Sequence, residues 1–172
     1  MNRRTLLRSL CTLGGAAAAG AALASKAAGT PSPDPAAALL AQAYPDLEGR
    51  SQALSQWKGR PMLVNFWATW CAPCVKEMPE LDALSRRYPR VQFVGLAIDT
   101  SPNVVKFVAK VPVSYPLLTA GMASIGLMRS LGNGPGGLPF TVVLAADGSI
   151  RKQILGPVDP SELDSVLAQL SG

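Results

Sequence analysis

Two of the chain's three cysteines stand two residues apart in "NFWATWCAPCVKEMP", Asn65 to Pro79. A dithiol at this spacing can close to a disulfide and reopen, carrying two electrons. The run before it, Met62 to Ala68, is compact, apolar and of strand type. After it, Val75, Met78, Leu81, Leu84 and Tyr88 recur at helical steps. If Cys71 begins that helix, its sulfur lies at the positive end of the helix dipole, where unpaired N–H groups favour a thiolate. Pro73 suits the first turn, where its missing N–H costs nothing. Cys74 falls one turn later on the same side, within disulfide reach. Cys71 is therefore expected to be exposed and to attack. Cys74 is expected to be more buried and to resolve the mixed disulfide.

Three plainer uses of the pair fit less well. A structural zinc site needs two further ligands, and the chain has no histidine and only Cys11 besides this pair. A structural disulfide would close a loop too small to restrain the unfolded chain much. Cysteine as core filler explains one residue but not the placement of both. Redox chemistry explains the strand, the spacing and the helix together.

The rest of the chain must position this pair. Its 172 residues suffice for one domain plus a leader. "MNRRTLLRSLCTLGGAAAAGAALASKA" has the parts of an export signal: Arg3, Arg4 and Arg8, then an uncharged stretch from Ser9 to Ser25, with Ala22-Leu23-Ala24 as a small-x-small cleavage site. Arg3-Arg4-Thr5-Leu6-Leu7 also fits the twin-arginine pattern, with Sec export the competing route. Leu10 before Cys11 argues against lipoprotein processing. Residues 1–24 are read as the signal, or as an inner-membrane anchor if retained. Export would deliver the protein to the periplasm or cell envelope, where disulfides persist. Without residues 1–24 the net charge falls from +5 to +2, with 13 basic residues against 11 acidic. No basic stripe is left to bind nucleic acid.

Residues 25–43, with Pro31, Pro33 and Pro35 among Ala, Ser and Gly, read as a linker. The folded domain is expected over 44–172. Glu48-Gly49 can turn a short hairpin. Val91 to Ile98 reads as a second buried strand, and Asp99 to Pro102 as the start of a helix, with Asp99 a cap rather than a catalyst. Val113 to Leu118 is a short strand candidate, "GMASIGLMRSLG" a helix, and Asn133 to Gly137 a flexible turn. Two strands joined at Asp147-Gly148 follow, then a helix opened by Asp159 and Pro160. A parallel βαβ half followed by an antiparallel hairpin is an α/β sandwich with a mixed central sheet flanked by helices.

"FWATWCAPC" resembles the thioredoxin superfamily active site, and the longer stretch to Pro79 is similar to its exported branch, the TlpA- and ResA-like disulfide reductases. The resemblance runs from about Tyr44 to the C-terminus. It implies a thioredoxin-like fold, with the helix and strand of Ser101 to Leu118 as the TlpA-like central insertion. Pro79 then matches the proline that kinks the active-site helix. Gly137-Leu138-Pro139-Phe140-Thr141 resembles the cis-proline loop, which would place a cis Pro139 beside the disulfide. The Leu138 backbone would pair with an extended substrate, and Trp70 would be the exposed aromatic next to the nucleophile, leaving Trp67 to the core.

The same resemblance locates the acid–base group. Thiol–disulfide exchange needs a proton acceptor for Cys74. Ordinary thioredoxins carry a buried aspartate on the strand before the motif, where this chain has Asn65, which cannot ionise. The ResA-like branch carries a glutamate three residues after the second cysteine, and Glu77 matches it. Cys74 and Glu77 share a helix face at i, i+3, and burial there should raise the carboxyl pKa. Glu80 and Asp82 read as solvated surface charges.

The expected function is an exported protein disulfide reductase working through Cys71 and Cys74, with no cofactor beyond that redox-active disulfide. The resemblance implies a membrane electron donor of the DsbD or CcdA type. It suggests clients such as apocytochrome c, as in cytochrome c biogenesis, or copper-site proteins. Two alternatives stay open: the same fold run as a disulfide oxidase, and a metallochaperone binding Cu(I) through the two thiolates. A thiol peroxidase is disfavoured, because Ala68 stands where a Thr or Ser is required.

Overall fold

The computed structural model describes residues 34–172. The signal expected over 1–24, Cys11, and the first part of the expected linker lie outside the described residues. From residue 34 the chain is not a linker. Pro35–Leu40 forms a helix, α1, with Asp34 as N-cap accepting a bond from the Ala36 N–H at 3.0 Å. Ala36, Leu39 and Leu40 are buried. Proline and alanine suggested linker composition, but Asp-Pro followed by apolar residues three and four apart is also a helix start.

A small hairpin follows, β1 (Ala43–Pro45) against β2 (Ser51–Ala53), turned at Gly49 with φ 80°. The main sheet contains β3 (Met62–Trp67), β4 (Gln92–Ala97), β5 (Leu117–Thr119), β6 (Phe140–Leu144) and β7 (Ile150–Leu155). Its order is β5-β4-β3-β6-β7, with β3, β4 and β5 parallel and β6 and β7 antiparallel to their neighbours. The helices are α2 (Ala72–Arg87), α3 (Ser101–Val108), α4 (Ile125–Ser130) and α5 (Pro160–Leu170). The strand expected over 113–118 is shorter and shifted. Pro116 has no N–H to donate, and only its carbonyl joins β4, accepting from Gly95 at 2.9 Å. The helix expected over 121–132 begins with a tight 3-10 turn, Met122–Ser124.

Strand alternation divides the apolar residues between the two sheet faces. Leu63, Trp67, Phe93, Ala97 and Val143 face α2, α3 and α5, where they meet Met78, Leu81, Val104, Leu163 and Leu167. Val64, Phe66, Val94, Leu96, Phe140 and Val142 face α1 and α4. Fully burying one such large side chain contributes about 1.5–3 kcal/mol. Gly95 sits where this packing is tightest, since a Cβ there would lie 2.5 Å from Leu117 Cδ2 and 3.1 Å from Trp67 Nε1. Trp67 is fully buried, as expected, and tilts against Phe107 with ring centroids 5.2 Å apart.

Candidate active site: a dithiol at the start of a helix

β3 runs through the centre of the sheet and delivers the chain to the start of α2. The turn closes through the Cys71 N–H donating to the Ala68 carbonyl at 3.2 Å. Cys71 is the N-cap of α2, and its Sγ accepts from the Cys74 N–H at 3.3 Å. N-capping oxygens use this same position to satisfy the unpaired donors of a first helical turn. Once the pair is reduced, that donor and the helix dipole favour the Cys71 thiolate. Cys71 and Cys74 are joined as a disulfide, with Cα atoms 5.3 Å apart. The sequence predicts an exposed Cys71, but it is only 6% exposed, against 0% for Cys74. The order of access is as expected, yet Cys71 belongs to the same apolar cluster as Cys74, and Leu138 packs on that cluster.

Pro73 lies in the first turn of α2 and Pro79 inside the helix. Pro79 cannot donate to the carbonyl four residues back, so the helix is weakened one turn beyond the dithiol. Trp70 is 63% exposed, directly before Cys71. Asp99 holds that turn. Its Oδ2 accepts from the Thr69 N–H at 3.1 Å and the Thr69 hydroxyl at 2.5 Å, and its Oδ1 accepts from Thr100 N–H and Asn103 Nδ2. Burial pushes the Asp99 carboxyl up, but these donors hold it below the ordinary range. Asp99 is not the cap of α3, whose N-cap is Thr100 without a side-chain capping bond, and its tie to Thr69 escapes sequence reasoning. No local pattern links residues 30 positions apart.

Glu77 is buried one turn after Cys74 and is not the Lys76-paired surface residue it could have been. Its Oε1 accepts from Asn65 Nδ2 at 2.9 Å and its Oε2 from the Val158 N–H at 3.0 Å. Asn65 Nδ2 also donates to Thr141 Oγ1 at 3.0 Å. Strand β3 and the segment before α5 therefore meet helix α2 at this carboxylate, and strand β6 joins through Asn65. Burial raises the Glu77 pKa. The Val158 N–H and the Asn65 amide oppose that rise, and the Glu80 charge adds to it, leaving the group above the ordinary carboxyl range. Thr141 and Val158 escape sequence reasoning too. The threonine follows the expected proline loop, but the role of a backbone N–H at Val158 leaves no mark in the residue type.

The opposite wall comes from the segment before β6. Leu138–Pro139 is a cis peptide, and Pro139 is buried. Phe140 pairs with Phe66 near the end of β3, so this loop and the dithiol share one end of the sheet. Leu138 is half-buried, and its backbone makes no hydrogen bond among the described residues. Leu155, 52% exposed, ends β7 beside Gly137. No group of three metal-ligating side chains occurs among the described residues.

A disulfide at the N-terminus of the helix that follows a central strand, with a cis-proline loop at the same end of the sheet, defines the thioredoxin-like thiol–disulfide oxidoreductases. The comparisons with known proteins agree, and the chain belongs to the Redoxin family, whose pattern matches residues 27–170. Among curated relatives it is 34% identical over 130 residues to thiol-disulfide oxidoreductase ResA of Bacillus anthracis, covering 73% of this chain and 72% of that protein. ResA of Geobacillus thermodenitrificans (strain NG80-2) is 30% identical over 128 residues, covering 73% and 71%. The fold is shared with a thioredoxin-related protein from Neisseria meningitidis serogroup B, at TM-score 0.66 and 36% identity, over 75% of this chain and 98% of that one. It is shared also with MTB dsbF, at TM-score 0.68 and 27% identity, over 77% and 97%. The protein is a thiol–disulfide oxidoreductase.

Proposed function

We propose that the protein is an exported reductase of protein disulfides. The Cys71 thiolate attacks one sulfur of a client disulfide. A Cys71–client disulfide forms and the first client thiolate leaves. Cys74 then loses its proton and attacks Cys71 Sγ. The Cys71–Cys74 disulfide forms, and the second client sulfur leaves as a thiolate that takes up a proton. Two electrons pass from the protein to the client, and the protein needs no cofactor beyond its own dithiol. Glu77 receives the Cys74 proton in this direction and returns it in reverse. Leu138 and Pro139 align the client as an added strand, with Trp70 beside the attacking sulfur.

The observation that carries this reading is the carboxylate arrangement. Asn65 fills the strand position with a group that cannot ionise, while Glu77 is buried on the dithiol helix with its pKa raised. Raising a carboxyl's pKa makes it a better acceptor for the proton of a thiol and so suits it to proton exchange. The relatives named ResA share this branch of the family. The arginines of the N-terminal leader support export to the periplasm or cell envelope, where a membrane thiol–disulfide transporter of the DsbD or CcdA type would reduce the pair again. Apocytochrome c and copper-site cysteine pairs are clients of suitable chemistry.

The test is the reduction potential of the Cys71–Cys74 couple, equilibrated against glutathione or dithiothreitol. A reductase is expected near thioredoxin, at about −270 mV. A value near that of DsbA, at about −120 mV, would make the protein an oxidant and overturn the proposed direction.

A further inference from the structure

The turn before the cis-proline loop, expected to be flexible, is built around a fully buried side chain. Asn133 is 0% exposed. Its Oδ1 accepts from the Gly136 N–H at 3.0 Å and the Gly137 N–H at 3.1 Å, and its Nδ2 donates to the Gly137 carbonyl at 2.7 Å. Its own N–H donates to the Met128 carbonyl at 3.1 Å, which ties the turn to the end of α4. Gly136 follows at φ 74°, where a Cβ would stand 3.0 Å from Ile125 Cγ2. One carboxamide therefore fixes three backbone groups in the two residues leading to Leu138.

The third of these bonds carries a consequence for binding. The Gly137 carbonyl and the Leu138 N–H belong to one planar peptide unit. Fixing the direction of the carbonyl fixes that of the N–H on its other side. The Leu138 backbone makes no hydrogen bond among the described residues, so this donor is available to an incoming extended segment. We infer that Asn133 is a positioning residue, which aims the Leu138 N–H at the carbonyl of a bound client strand. The inference rests on the proposed disulfide exchange with protein clients and adds to it the residue that orients the loop. Asn133 touches neither thiol, so it should govern how tightly a peptide is held, not how fast sulfur attacks sulfur.

The experiment uses single turnovers of the reduced protein. One substrate is a synthetic peptide with an internal Cys-x-x-Cys disulfide and an extended flank. The other is 5,5′-dithiobis(2-nitrobenzoate), which has no backbone to pair. For Asn133→Ala, the half-saturating peptide concentration should rise about tenfold with the limiting rate nearly unchanged, the pattern of lost uniform binding. The rate with the small disulfide and the reduction potential should stay at wild-type values. Gly136→Ala disturbs the same turn from the Ile125 side with Asn133 intact. It should give the same split, and it decides the matter if Asn133→Ala does not fold. An unchanged half-saturating concentration, or an equal loss with both substrates, overturns the role of Asn133 and leaves the proposed function standing. If the wild-type protein reduces the small disulfide but not the peptide, both readings fall.

Discussion

Helix α2 buries two carboxylates, and their pKa values shift in opposite directions. Glu77, beside the dithiol, and Asp82, beyond Pro79, are both under a tenth exposed. Burial pushes both carboxyls up. At Asp82 the opposing groups win. Its Oδ1 accepts from the Ser114 N–H and hydroxyl, each at 2.6 Å, and Arg86 pairs with its Oδ2, so the group lies below the ordinary range. At Glu77 one backbone N–H and one amide oppose burial, no cation among the described residues joins them, and the Glu80 charge works against them. The same helix thus holds one carboxylate stabilised as an anion, which fastens the segment before β5, and one whose neutral form burial favours. Tyr115 lies within the influence of both. Burial first, then Asp82 and Glu77, push its phenol pKa up, and its hydroxyl has no hydrogen-bond partner among the described residues.

The contrast can be broken at either end. Asp82→Asn should have the largest effect on stability, a loss of about 1–3 kcal/mol at neutral pH. Because the folded-state pKa of Asp82 is depressed, its contribution is present above the ordinary aspartate value. It fades as pH falls through the lower folded value, so the two proteins should converge in acid. Urea unfolding over a pH series measures this, and a constant difference would show that the charge is not what Ser114 recognises. Asn65→Asp comes next. It puts a second carboxyl where an amide now donates to Glu77 Oε1, so the pair should share a proton and titrate in two steps, the upper one above that of wild-type Glu77. A loss of roughly 1–2 kcal/mol at neutral pH should accompany it. The smallest effect belongs to Arg86→Ala. That side chain is 61% exposed, and the pair should contribute only about 0.2–1 kcal/mol. A larger loss would move the anchoring of Asp82 from Ser114 to Arg86.

This contrast also marks how far the sequence could be read. Glu77 was legible because its relation to Cys74 is local, three residues along one helix, and because the surrounding motif resembles a family with a carboxylate there. Asp82 stands in an equally polar helical context, yet its decisive partner is 32 residues away and outside any periodic pattern. It was expected to be a solvated charge for that reason. The same limit hid the Asp99–Thr69 tie and the Val158 N–H. β3, α2, the β6–β7 hairpin and the cis bond at Pro139 were legible, since apolar runs, turn residues and the motif all pointed one way. Two composition-based readings failed for different reasons. Around residue 35, proline and alanine concealed a helix start. At 133–137, glycines suggested freedom where a buried asparagine removes it.

The central claim is that Glu77 handles the proton of the Cys74 step, and the pH dependence of exchange in Glu77→Gln tests it most directly. The substitution keeps the shape and removes the titration. Folding should favour the substitution increasingly as pH rises. The raised carboxyl of the wild-type protein is best tolerated below the ordinary glutamate value and becomes a burden as pH passes its folded value. The rate at which the reduced protein cleaves a peptide disulfide should bend at the raised carboxyl value in wild type and lose that bend in the variant. The neutral-pH rate should fall by about tenfold or more, since positioned acid–base groups contribute about 10²–10⁴ and water can replace part of that. The same bend and the same rate in both proteins would contradict the account.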